Sequence, residues 1–359
     1  MNKVFLIVTT LLSISFAANA QTAYNDTVEN RVVPEYENVV CPNVSLKMWN
    51  RVAVTGSGKD IRAFSPWKSI QYTSSEYSKV ANLYKKTFGN KVNIWLMPIP
   101  TAAAFYSPKN NAFTSEQYST INYMFGYADK DVHCVDIHTI LGQHANENIY
   151  ARTDHHWLPL GAYYAAKRFA ALAGVPFVSI EDSTRYQHRV IHRYCGTMYH
   201  YTKNINVKNN PEDFDFWLPI AAKYSTSIVQ FKYAGVHQVT GEFIPKDQNY
   251  FKEYPDGSAA AYCTFIGGDA RLVHVHTNVG NGRKVLFVKD SFGNAIPGYL
   301  FYSFEDLHVI DCRYFNRNLT EYVEKQGITD IVLCNNLQFV GQPKIQDALK
   351  RYLTQNPTR

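Results

Sequence analysis

The segment Lys289-Asp290-Ser291-Phe292-Gly293-Asn294 puts a hydroxyl nucleophile directly after the apolar run Lys284 to Val288. That placement predicts a serine at the carboxyl edge of a sheet, where open α/β folds put their sites. A helix expected from about Gly293 would aim backbone N–H groups at a developing oxyanion. The plainer role for the same residue is an N-cap serine. A serine nucleophile needs a base, and Thr153-Asp154-His155-His156-Trp157 packs a carboxylate and two imidazoles into one short stretch. Asp154 and His156, two residues apart, face one direction in an extended segment. His156 then serves as the base and Asp154 as the acid that orients it. The alternative is that Asp154 caps the following helix and both histidines are solvated.

A metal-dependent hydrolase is a weaker alternative. His274 and His276 alternate on one strand face and could join Asp154 and the two motif histidines around an ion. No third ligand group stands at a fixed spacing from them, and a partly exposed polar strand face explains the pair as well. The expectation is therefore a site with no metal and no cofactor.

These residues need elements to carry them. The pattern turns helical from Glu76, with Ser74 or Ser75 as N-cap and Gly89 as the stop. Val92 to Met97 reads as a strand closed by Pro98 and Pro100. Residues 115–128 read as a helix, Val132 to Ile137 as a strand, and Leu158 to Gly174 as an amphipathic helix ended by glycine. Residues 185–270 break this rhythm. They are rich in Tyr, Asn and turns, with β-like runs such as Ser227 to Tyr233, and read as a β-rich insertion. Strands return at Lys284–Val288, Leu307–Ile310 and Asp330–Leu333, each followed by a helix. Alternating helices and apolar strands predict an α/β fold with a mainly parallel sheet. Residues 21–75 show no clear periodicity and read as an N-terminal arm. The catalytic domain is expected over 76–359.

The chain has 359 residues, 46% hydrophobic and 18% charged, which describes a globular protein. Its net charge of +6 is spread thinly, with no Lys/Arg block; this argues against a nucleic-acid partner. Met1-Asn2-Lys3 precedes the apolar run Val4 to Ala17 and the small-x-small pattern Ala18-Asn19-Ala20. Residues 1–20 therefore read as a secretory signal peptide with a mature start at Gln21, which predicts a periplasmic or secreted protein. An uncleaved anchor is the alternative. Export makes disulfides possible, but the pairing of Cys41, Cys134, Cys195, Cys263, Cys312 and Cys334 cannot be read from their spacing. Cys134 and Cys334 lie inside apolar runs, which suits buried strand positions.

The strings Tyr150 to Trp157, Gly161-Ala162-Tyr163 and Val288 to Phe292 together resemble the DHHW protein family. That family is similar to the SGNH-hydrolase-like O-acetyltransferases that decorate polysaccharides such as alginate. The resemblance covers most of the chain from about residue 76. It implies an SGNH-like three-layer α/β/α fold and a triad of Ser291, His156 and Asp154, with His155 as spacer. The Asp-x-His segment precedes the Ser segment, so the motif order is permuted relative to ordinary SGNH enzymes. Lys289 stands where those enzymes carry Gly. Arg313 resembles an active-site Arg of the alginate enzymes, able to hold an oxyanion or a uronate carboxylate. Asn335 and Asn336 fall where SGNH folds place their oxyanion-hole Asn, with Asn336 favoured. The implied function is acetyl-ester chemistry on a cell-envelope or extracellular glycan, as O-acetyltransferase or acetylesterase. Its partners would be an acetylated glycan or acetyl donor and, for transfer, a membrane-bound acyltransferase. The rival is a catalytically inactive glycan-binding protein with the same fold.

Overall fold

The computed structural model describes residues 45–356, apart from 110, 234–238 and 244–245. The expected signal peptide, the first part of the arm and Cys41 lie outside these residues. The rest of the arm carries a small sheet. Strands β1 (Lys47–Trp49), β2 (Val52–Thr55) and β3 (Arg62–Phe64) form an antiparallel meander. Three- and four-residue strands are too short for alternation to show in a sequence, which is why the segment reads as irregular. The meander buries Val52, Val54, Ile61 and Ala63 against Met198 and Val207. It also reaches the Asp-His-His segment. Ala63 N–H donates to the Arg152 carbonyl (2.9 Å), and the Arg62 guanidinium donates to the carbonyls of Tyr150 (2.9 Å) and Ala151 (3.2 Å).

Helix α1 spans Gln71–Phe88, starting five residues before the expected Glu76. Ser74 and Ser75 do not cap it. Their hydroxyls turn back to the carbonyls of Gln71 (2.7 Å) and Tyr72 (2.8 Å), a local bond that serine makes inside helices. Gly89 stops the helix at φ +61°, as the sequence predicts. Strand β4 (Asn93–Leu96) follows, then α2 (Tyr118–Gly126) and the short strand β5 (His133–Cys134). The strand expected over 132–137 is cut short because Asp136 already accepts from Thr139 N–H at the start of the next turn. Helix α3 (Pro159–Ala173) ends at Gly174 in the left-handed region.

The segment after residue 185 has two parts. Strands β6 (Tyr186–Tyr194) and β7 (Glu212–Pro219) pair only with each other. Strand β8 (Tyr224–Val229) instead joins the main sheet, with β11 (Lys246–Asp247) on its outer side; between them β9 (Phe231–Tyr233) and β10 (Val239–Glu242) form a separate ribbon. The main sheet is completed by β12 (Leu272–Thr277), β13 (Lys284–Lys289), β14 (Asp306–Asp311) and β15 (Asp330–Cys334).

The eight strands run in the order β11-β8-β12-β14-β13-β15-β4-β5, and the five from β14 to β5 are parallel. Numbered from β13 as first strand, those five read 2-1-3-4-5, a doubly wound sheet whose fourth and fifth strands come from the earliest part of the chain. The strand order reverses between β13 and β15, and such a switch point opens a crevice at the carboxyl ends of the strands. Ser291 leaves β13 at that crevice.

Helices cover both faces. On one, Phe169 of α3 packs against Trp95, Phe287 and Phe304. On the other, Tyr84 of α1 donates to the Leu349 carbonyl of α5 (Pro343–Tyr352), and Tyr322 of α4 (Leu319–Gln326) meets His308 of β14. The helix expected from Gly293 is absent. Two 3-10 turns, Ser291–Asn294 and Ile296–Tyr299, stand in its place. Pro297 explains this, since it has no N–H to donate and its ring clashes with a carbonyl four residues back. No helix among the described residues is long and apolar enough to cross a membrane.

Candidate active site

The Asp-His-His-Trp segment is an irregular loop held from three directions. The Glu212 carboxylate on β7 accepts from the backbone N–H groups of Arg152 and Thr153 (2.8–2.9 Å) and from the Thr153 hydroxyl (2.7 Å). The arm holds residues 150–152 as described. Trp157 is fully buried, and its indole N–H donates to the Phe292 carbonyl in the serine turn (2.9 Å). Tyr262 adds a second clamp. Its hydroxyl donates to the carbonyls of Ser291 (3.0 Å) and Phe292 (2.9 Å), and its ring stacks on His156 with centroids 3.9 Å apart.

These clamps bring Ser291, His156 and Asp154 into one hydrogen-bonded chain. His156 Nε2 lies 2.8 Å from Ser291 Oγ, and His156 Nδ1 lies 2.7 Å from Asp154 Oδ1. The same carboxylate oxygen accepts from His156 N–H (3.0 Å). Its other oxygen accepts the backbone N–H and the hydroxyl of Thr197, each at 2.8 Å. Burial alone would raise the pKa of Asp154. The neighbouring imidazoles of His155 and His156 and the hydrogen bonds outweigh it and hold the carboxyl well below its usual range. Asp154 is therefore an anion that only accepts hydrogen bonds. Gly196 lets Thr197 come this close, since a Cβ at Gly196 would run into the Asp154 carboxyl group. Ser291 is only partly buried and can be reached from solvent.

The serine turn is set by Asp290. One oxygen accepts from Phe292 N–H (2.9 Å), the other from Asn336 N–H (2.7 Å) and Asn335 Nδ2 (3.3 Å). Burial raises the pKa of Asp290, with those donors working against it. Asn335 is spent in the interior: its Oδ1 accepts from Tyr77 (2.6 Å), and its Nδ2 faces Asp290 and Cys312 Sγ. Asn336 caps the next turn, its Oδ1 accepting from Gln338 N–H (2.9 Å). Arg313 makes no hydrogen bond to Ser291. Its Nε and Nη2 grip Asp311 (2.8 and 2.7 Å), and Nη2 also meets Asp269 (2.7 Å). Lys289 is fully buried beside it, 2.8 Å from Asp311 and 3.8 Å from Asp269. Asp269 in turn accepts from Asn294 in the serine turn (3.2 Å). The cation at 289 thus belongs to a compensated charge network behind Ser291.

His274 and His276 lie elsewhere. They converge on one oxygen of Asp306 (2.8 and 2.9 Å), while Lys284 holds the other (2.9 Å). Asp306 and Lys284 begin β14 and β13, at the end of the sheet opposite Ser291. The structure therefore does not bring this pair to Asp154, His155 and His156. Among the described residues, two groups have metal-ligand spacing: Asp154 with His155 and His156, and Asp306 with His274 and His308. In the first set the carboxylate, both Nδ1 atoms and His156 Nε2 are already engaged in hydrogen bonds within the site, leaving His155 Nε2, and Lys284 neutralises the carboxylate of the second.

The sequence pattern of the DHHW protein family matches residues 14–310. The chain belongs to the DHHW family. A crystal structure of a DHHW family protein from Eubacterium siraeum is similar to this one, with 30% identity and a TM-score of 0.75. The match covers 88% of this chain and 99% of that one. PatB1 of Bacillus cereus, solved with a sulfonyl adduct, shares the fold at 15% identity, with a TM-score of 0.63 and coverage of 85% and 99%. No curated protein sequence matches this chain. The architecture of this DHHW protein is thus the expected α/β fold with a mainly parallel central sheet, with the Asp-His segment ahead of the Ser segment in the chain.

Several residues that shape the DHHW site carry no signal in the sequence. Gly196, Thr197 and Tyr262 sit within the stretch that reads as an insertion. Nothing in Cys195-Gly196-Thr197 announces a partner for a carboxylate about forty positions earlier. Asp290 could have been found, since a carboxylate preceding a turn serine is an N-cap pattern.

Proposed function

We propose that this DHHW protein is a serine-dependent acetyl-ester enzyme acting on a cell-envelope or extracellular glycan. The observation that carries the reading is the unbroken chain from Asp154 through His156 to Ser291, at 2.7 and 2.8 Å. Those lengths suit a base that takes the hydroxyl proton as the oxygen attacks an acyl carbon. Asp154 keeps the imidazole proton on Nδ1 and leaves Nε2 as the acceptor facing Ser291. Tyr262 stacked on His156 blocks the ring from swinging away. Donors for the tetrahedral oxyanion would come from the turn that begins at Ser291, with Asn336 and Arg313 at the ends of the next strands as further candidates.

Passing the acetyl group to a sugar hydroxyl makes the protein an O-acetyltransferase; passing it to water makes it an acetylesterase. The expected signal peptide supports an extracytoplasmic site of action, where transfer would need a membrane-bound acyltransferase to supply acetyl groups. The test is turnover of an acetyl-ester reporter by the purified protein and by its Ser291→Ala variant. Turnover that disappears in the variant supports the proposal. A folded wild-type protein with no turnover, and glycan affinity indifferent to the substitution, would support an inactive glycan-binding protein instead.

A further inference from the structure

The site fixes the tautomer of the histidine that the triad does not use. Asp154 only accepts hydrogen bonds, so Thr197 gives its hydroxyl proton to Oδ2. That hydroxyl can then only accept from His155 Nδ1, 2.7 Å away. His155 therefore carries its proton on Nδ1 and a bare lone pair on Nε2. Burial, with His156 beside it, pushes its pKa down to about 4, so the ring stays neutral near pH 7.

The orientation of that lone pair follows from the same contacts. His155 Nδ1 lies 3.6 Å from Asp154 Oδ1, the oxygen that His156 Nδ1 touches at 2.7 Å. The two ring centroids are 3.7 Å apart with planes inclined by 39°. The imidazoles stand face to face at a tilt with their Nδ1 atoms toward the carboxylate, so both Nε2 atoms point away from it. One meets Ser291 Oγ; the other has no hydrogen-bond partner among the described residues, and the His155 side chain is 30% exposed. Tyr201, exposed on the next turn, presents its ring 6.5 Å from that of His155.

We propose that His155 Nε2 is the hydrogen-bond acceptor of an acyl-acceptor subsite, and that the acceptor it selects is a vicinal diol of a sugar ring. This rests on the serine acetyl-transfer reading above. Neighbouring sugar hydroxyls lie about 2.8 Å apart, the length of an O–H···O contact, and the two stacked imidazoles are close enough for one hydroxyl to meet each. The first hydroxyl oxygen bonds to the acetyl carbon of the acetyl-Ser291 enzyme, and His156 Nε2 takes its proton. The bond from that carbon to Ser291 Oγ then breaks, and His156 returns the proton to Oγ. The second hydroxyl donates to His155 throughout and is unchanged. The exposed Tyr201 ring gives the sugar an apolar face to rest on.

The test uses small acceptors, so that the identity of the natural glycan does not matter. The enzyme is acetylated by 4-nitrophenyl acetate, and transfer to 1,2-propanediol is compared with transfer to 1-propanol at equal concentration. Wild type should favour the diol by about tenfold, the worth of one net hydrogen bond. His155→Asn keeps an N–H for Thr197 but loses the outward acceptor, so the preference should collapse. His155→Gln restores an acceptor at the outer position and should recover much of it. If His155 only supports Asp154, both transfers fall together in H155N and the ratio stays put, which overturns the inference. Ser291-dependent turnover with no diol preference in wild type overturns it too, and leaves the proposed function standing. A wild-type protein that forms no acetyl-enzyme removes both.

Discussion

Thr197 gives both its backbone N–H and its hydroxyl to one oxygen of Asp154, each at 2.8 Å. The buried carboxylate that is bonded to His156 is thus held in turn by a residue forty-three positions later, on the far side of a long helix in the sequence. Hydrogen bonds to charged groups are worth about 1.5–3 kcal/mol. Thr197→Val should therefore cost roughly 10- to 100-fold in kcat for acetyl-ester turnover while the fold survives. Gly196→Ala should be worse, because the added methyl group displaces the carboxylate itself. Wild-type rates in G196A, with an unchanged melting temperature, would show that the placement of Asp154 is not critical.

Ser291 and His156 should behave as one unit. Ser291→Ala removes a partly exposed hydroxyl and should change stability by no more than about 0.5 kcal/mol. Turnover should fall by several orders of magnitude. His156→Ala should be about as damaging, and the double variant little worse than either. Rates that multiply across the two substitutions would mean that the residues act independently.

Acid should destabilise the fold through buried histidines. His138 is enclosed by Phe105 and Tyr118, with neither ring nitrogen hydrogen-bonded among the described residues. Burial pushes its pKa down to about 4. His155 is also lowered to about 4 and His308 to about 3, in both cases chiefly by burial. An unfolded histidine titrates near 6.5, so between the two values the unfolded chain binds more protons than the folded one. The stability these residues confer is full above about pH 6.5 and is lost as the pH falls toward 4. Melting temperatures from pH 7 to pH 4 should drop, and the drop should be smaller in His138→Leu. An equal drop in both proteins would remove His138 from the account.

The parts of this molecule that were legible in the sequence are those set by local rules. The cores of the runs at 94–96, 285–288 and 331–334 are continuously apolar, and 307–310 is apolar but for His308, because strands buried on both faces must be. Gly89 and Gly174 end their helices where the sequence marks them. Asp154, His156 and Ser291 could be named from two short strings. What was not legible depends on contacts across the chain. Nothing local shows that 224–229 extends the main sheet through β12, or that Glu212 anchors the loop bearing Asp154. The helix expected after Ser291 gives way to 3-10 turns at Pro297, a local signal that was present and outweighed by the apolar pattern around it.

Serine chemistry of this kind needs no bound ion. Acetyl-ester turnover should therefore persist after dialysis against EDTA, with kcat within about twofold of the untreated enzyme, a difference of roughly 0.4 kcal/mol in barrier. Activity lost to the chelator and restored by zinc or manganese would point to the Asp154, His155 and His156 atoms acting as ligands, since His274 and His276 sit at the other end of the sheet.

The central claim is that Ser291 Oγ carries the acetyl group. Rapid acid quenching of the enzyme during turnover of an acetyl ester, followed by mass analysis of its peptides, tests this directly. One added acetyl group is expected on the peptide bearing Ser291, present in wild type and missing from Ser291→Ala. An acetyl group trapped on another residue, or steady turnover with an unmodified Ser291 peptide and an active Ser291→Ala protein, would contradict it.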